Sequence, residues 1–212
     1  MVVAISRNAI KTHKVVLLGD VAVGKTSIMA SLKFGAFGEV YQPTMAPDYF
    51  PHLVTSSDGT ITKLSVWDTA GQEKFRSIIP TFLRDISVCI LVFDIANRAS
   101  FEHVQSWFDF VRQERGEDDK SVQFYLVGNK SDLADTSRSV AEDEGTALAA
   151  SLSLCQYFEV SAKECKGIHP MFTLIAEAIP RALESSYQRT HLRVDHTAIR
   201  KDSNNASYCC SI

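Results

Sequence analysis

The chain has 212 residues, 45% of them hydrophobic, which suits one domain with a full core and some chain to spare. A formal net charge of −3 leaves no electrostatic footprint for nucleic acid. No apolar run approaches a membrane span, and Met1-Val2-Val3-Ala4-Ile5 turns polar too soon for a secretory signal, with no glycine at position 2 for myristoylation.

Lys14-Val15-Val16-Leu17-Leu18 predicts a buried strand near 13–19, and Ser27-Ile28-Met29-Ala30-Ser31-Leu32 lies in a helix predicted near 25–34. Between them, Gly19-Asp20-Val21-Ala22-Val23-Gly24-Lys25-Thr26 fits the phosphate-loop pattern of two spaced glycines followed by lysine and a hydroxyl residue. Backbone N–H groups at the start of that helix would cradle the α- and β-phosphates, helped by the helix dipole. Lys25 would reach the β- and γ-phosphates, and the Thr26 hydroxyl would ligate Mg²⁺. The loop specifies a nucleoside triphosphate but not its base.

Strands near 48–55 and 61–68 follow, and the short Ser57-Asp58-Gly59 link makes them an antiparallel hairpin. Further strands are expected near 86–93, 122–128 and 156–160, with helices near 73–83, 100–115, 139–151 and 168–184. This alternation predicts an α/β fold: a mostly parallel sheet with helices on both faces. The domain is read over 13–182, between a short extension at 1–12 and a flexible tail at 183–212.

The base is read late in the chain. Val122–Gly128 is an apolar strand whose carboxyl end carries Asn129-Lys130-Ser131-Asp132, and open α/β sheets place ligands at such ends. Asp132 can accept from guanine N1–H and the 2-amino group; adenine offers neither donor and would leave the carboxylate unpaired. Asn129 would buttress the purine and the Lys130 stem would pack along it. Ser161-Ala162-Lys163, after the apolar run 157–160, would offer a backbone N–H to guanine O6. An ATP-using phosphoryl transferase with the same phosphate loop would leave Asn129 and Asp132 unexplained.

These segments, together with Asp68-Thr69-Ala70-Gly71-Gln72, resemble the small GTPases of the Ras superfamily in order and spacing over residues 13 to 180. Lys63–Glu73, Phe75–Arg84, Leu91–Ile95 and Ser106-Trp107-Phe108 look most like the Rab branch. Thr44-Met45-Ala46-Pro47 departs from it, because a Rab usually carries glycine soon after that threonine. The resemblance implies a phosphate-loop NTPase fold with a six-stranded, mostly parallel sheet containing one antiparallel strand. It implies a GTP/GDP switch with Mg²⁺ as cofactor, held by Thr26 and Thr44 and, through a water, by Asp68. Gly71 would donate its N–H to the γ-phosphate and Gln72 would orient the attacking water, as the catalytic residue. Val21, Ala22, Val23, Gly24 and Ser27 would line the phosphates; Tyr41 would lie at the nucleotide and Phe37 edge-on against the guanine. Loss of the γ-phosphate would release segments 38–50 and 70–82. Val21 stands where the family usually has a small residue, and two outcomes stay open: hindered hydrolysis, or a loop that accommodates valine by a small shift.

Past Ala182 the chain turns polar and ends Tyr208-Cys209-Cys210-Ser211-Ile212. The pattern fits geranylgeranylation of Cys209 and Cys210 as in Rab proteins, and also a single prenyl group on Cys209. One lipid chain anchors marginally, and Asp195 and Asp202 dilute the tail's basic residues, so two chains are favoured. Cys89 is expected in the core; with Cys155 and Cys165 it forms no disulfide or zinc framework, and the six histidines are scattered. The implied partners are an exchange factor, an activating protein, a prenylation escort, a dissociation inhibitor, effectors of the GTP form and a membrane met through prenyl groups. A monomer on the cytoplasmic face of endomembranes, cycling with the cytosol, is the expected setting; a Ras- or Rho-like plasma-membrane switch is the contrasting one.

Overall fold

A computed structural model describes residues 12–36, 48–56, 59–69, 79–116 and 119–191, without the side chains of Asp48 and residues 180–191. The strands are β1 (Thr12–Leu18), β2 (Asp48–Thr55), β3 (Ile61–Asp68), β4 (Val88–Asp94), β5 (Gln123–Asn129) and β6 (Gln156–Glu159). The α-helices are α1 (Lys25–Phe34), α2 (Ile79–Leu83), α3 (Arg98–Glu102), α4 (Val104–Arg115), α5 (Ala134–Ser137), α6 (Glu142–Ser151) and α7 (Ile168–His191), with a 3₁₀ turn over Ser131–Leu133.

The strands form one sheet in the order β2-β3-β1-β4-β5-β6, in which β2 alone runs antiparallel, from Asp48↔Asp68 to Thr55↔Ile61 against β3. The two neighbours of β1 are the parallel strands β3 and β4, reached in opposite directions across the sheet. Its carboxyl end is therefore the switch point where open α/β sheets take ligands. The phosphate-loop sequence begins there, at Gly19.

Both faces of β1 are covered. Val15 and Leu17 join Ile28, Leu32, Phe172 and Ile175 on the α1–α7 side; Val16 and Leu18 join Leu91, Phe93, Trp107 and Leu126 on the other. Double burial explains why β1 and β4 read as continuous apolar runs rather than alternating ones. Cys89 is fully buried in the second of these layers, and burial pushes its thiol well up.

Three helices differ from their sequence-based bounds. The helix expected near 100–115 is two, because Asn97 caps an earlier start and His103 (ψ −11°) interrupts the run between α3 and α4. The helix expected from 139 starts at Glu142, since Ser139 and Val140 spend their N–H groups on Ile95 O; Glu144 then accepts from the Ala141 N–H at 2.9 Å. The last helix continues to His191, past the fading of its apolar pattern. Of the helix expected near 73–83, the described part is Ile79–Leu83. The hairpin closes as expected, with Ser56 N–H on Thr60 O and Gly59 at φ +82°.

Candidate nucleotide site

The phosphate loop coils tightly because Gly19 (φ +145°), Ala22 (φ +62°) and Gly24 (φ +97°) all adopt positive φ. Two of these positions require glycine for space as well. A Cβ at Gly19 would run into the Val92 carbonyl oxygen, and one at Gly24 into the Asn129 amide nitrogen. Gly24 is also the N-cap of α1 and brings no side-chain cap, so the cap residue itself does not compete with an anion at this helix N-terminus.

Lys25 opens α1 and points back over the loop. Its ammonium donates to Gly19 O (2.7 Å) and Asp20 O (2.6 Å), leaving a third donor for a ligand. Burial lowers its pKa to about 8, against the opposing pull of Asp68 and Asp20. A buried ammonium with a depressed pKa gains from an arriving anion, so the group fits a phosphate. Thr26 Oγ1 donates to Asp68 Oδ2 at 2.6 Å, which brings together two of the three residues expected around Mg²⁺. A hydroxyl and a carboxylate are hard oxygen donors of the kind Mg²⁺ takes beside phosphate and water. Among the described residues no group of three His, Cys, Asp or Glu forms a protein cage for a metal. Ser27 sits in the first turn of α1, Val23 is buried beneath the loop, and Val21 projects outward, 46% exposed.

The second and third segments meet the first through one side chain. Asn129, at the end of β5, donates from Nδ2 to Val23 O (2.9 Å) and accepts at Oδ1 from Ala162 N (3.1 Å). It thus ties the phosphate loop to the loop after β6. Ser161 is fully buried and donates to Asp132 Oδ1 at 2.6 Å, while Ser131 N donates to Val160 O. The Asp132 carboxylate is thereby oriented, and its remaining lone pairs can take donors from a base.

Two of these segments carry contacts that their sequence motifs do not show. Lys130, at φ +67°, sends its ammonium to Asp94 Oδ2 (2.7 Å), so its stem is aimed by an ion pair that the sequence motif does not contain. In Ser161-Ala162-Lys163, the segment expected to offer a backbone N–H to guanine O6, the Ser161 N–H donates to Lys166 O and the Ala162 N–H to Asn129 Oδ1. Phe37, Tyr41, Thr44, Gly71, Gln72, Cys209 and Cys210 lie outside the described residues.

A brace missed in the sequence supports both base loops. Arg138 holds Glu159 with two hydrogen bonds (2.7 and 2.8 Å), and Tyr157 OH donates to the same carboxylate at 2.8 Å. Tyr157 is wedged so closely between Gly128 and Gly145 that a Cβ on either glycine would collide with it. The paired glycines before Asn129 and inside α6 were the available signal. Nucleotide-loop chemistry and sheet order agree with a comparison against known families: the Ras family model matches residues 14–181, and the chain belongs to that family of small GTPases.

Proposed function

We infer that this chain, like Ras-family GTPases generally, binds GTP and GDP with Mg²⁺ and works as a switch with exchange factors, activating proteins and effectors. We propose that this member is of the Rab type, hydrolyses GTP, and regulates vesicle traffic on the cytoplasmic face of endomembranes, anchored by prenyl groups on Cys209 and Cys210. The observation that carries guanine selectivity is the fixed Asp132 carboxylate, held by Ser161 beside the Asn129 cross-link. The Rab reading is supported by the Lys63–Asp68 segment on β3, where Trp67 lies between Tyr49 (5.2 Å) and Phe82 (5.7 Å) at the end of the β2–β3 hairpin.

In this reading Lys25 and the α1 N–H groups neutralise and orient the phosphates, and Thr26 and Asp68 position the metal. Mg²⁺, when bound, offsets charge on the β- and γ-phosphate oxygens. Gln72 aligns water for in-line attack, while Thr44 and Gly71 sense the γ-phosphate. A second reading, an effector-binding module that scarcely hydrolyses, is favoured by Val21, whose exposed branched side chain stands on the phosphate loop.

The test is equilibrium binding of fluorescent GDP, GTP and ATP, followed by single-turnover GTP hydrolysis of wild type and Val21→Ser. Guanine nucleotides should bind at least about 10⁴-fold more tightly than ATP. Equal affinity for ATP overturns guanine selectivity, and equal hydrolysis by both proteins removes the Val21 reading. Cellular localisation of wild type against a Cys209→Ser/Cys210→Ser protein tests the anchor; a double variant still on membranes contradicts it.

A further inference from the structure

Asp20 is an anion inside a loop built for anions. Its carboxylate does not face Lys25, which takes the Asp20 main-chain oxygen instead. One carboxylate oxygen accepts from Trp107 Nε1 on α4 at 2.8 Å, and the other meets His103 Nδ1 at 2.6 Å. His103 is the residue at which the long helix breaks into α3 and α4, and its own carbonyl accepts from Ser106 Oγ and Trp107 N. One side of the phosphate loop is thus pinned to a helix junction 83 and 87 residues away in sequence.

We propose that His103 and Trp107 are positioning residues of the nucleotide site, acting through Asp20 to hold the phosphate loop against the α3–α4 junction. The proposal rests on the nucleotide-binding reading of the loop. Both side chains turn the Asp20 carboxylate away from the phosphates, so losing either contact leaves that carboxylate unanchored beside the ligand and should speed nucleotide release.

The experiment is the rate of release of mant-GDP, chased with excess GDP at one pH and constant ionic strength. Wild type, His103→Ala, Trp107→Phe, Asp20→Ala and the double variant Trp107→Phe/Asp20→Ala are compared, with a melt of each protein alongside. Each single variant should release roughly two- to fivefold faster, the range of a half-exposed polar contact. The double variant should release no faster than Asp20→Ala alone, because Trp107 acts through that carboxylate; independent packing losses would multiply instead. Single variants that release at the wild-type rate, or effects that multiply in the double variant, overturn the proposal. Absence of any mant-GDP signal in wild type would instead remove the nucleotide reading, and this inference with it.

Discussion

An alanine at position 24 would meet two obstacles. The backbone sits at φ +97°, where a Cβ costs roughly 1–2 kcal/mol, and the new methyl would displace the Asn129 amide from Val23 O. Gly24→Ala should lower stability by about 2–4 kcal/mol in urea melts, combining strain with a buried group left unpaired. Asn129→Ala should cost less stability yet weaken GDP binding at least about tenfold, read by fluorescence titration, because it disconnects two loops at once. The sequence motif named Asn129 and Asp132 as base readers. It did not show that Asn129 spans to residues 106 and 33 positions away, because such partners are set by strand order and not by local pattern.

At the scale of elements, the brace of Arg138, Tyr157 and Glu159 joins the segment before α6 to the end of β6. The Arg138 guanidinium beside Glu159 holds its carboxyl below the ordinary value of 4.5. A depressed folded pKa contributes stability that is complete above about pH 4.5 and lost as pH falls through the folded value. Glu159→Gln should therefore be less stable than wild type by about 1–2 kcal/mol at pH 7, with the gap closing in acid, as chemical melts at pH 3 and pH 7 will show. The strands were legible to within a residue or two, β1, β4 and β5 because both-face burial gives unbroken apolar runs and β2 and β3 because a short turn joins them. Most helix ends were legible too, α1 at both of its ends; the start of α3, the break at His103, the start of α6 and the end of α7 were not. The late start of α6 depends on an acceptor from Ile95 in another part of the chain.

For the whole molecule, ligand and fold are linked, since the pocket gathers segments from β1, β3, β5 and β6. GDP with Mg²⁺ at a thousand times its Kd should add about 4 kcal/mol to stability, raising the melting temperature, while ATP at equal concentration should leave it unchanged. A rise with ATP would contradict a guanine-selective pocket. The mostly parallel sheet with one antiparallel hairpin was legible from the alternation of strands and helices plus one short link, whereas the strand order β2-β3-β1-β4-β5-β6 was not, because it depends on where each crossover returns. The cross-link from Asn129 to Ala162 has a temporal meaning as well. A nascent chain leaving the ribosome presents its phosphate loop early but cannot close the pocket until the turn after β6 has emerged. At about 5–20 residues per second that interval lasts roughly 7 to 27 seconds, during which the unfinished domain lacks the closed pocket through which a nucleotide would stabilise it.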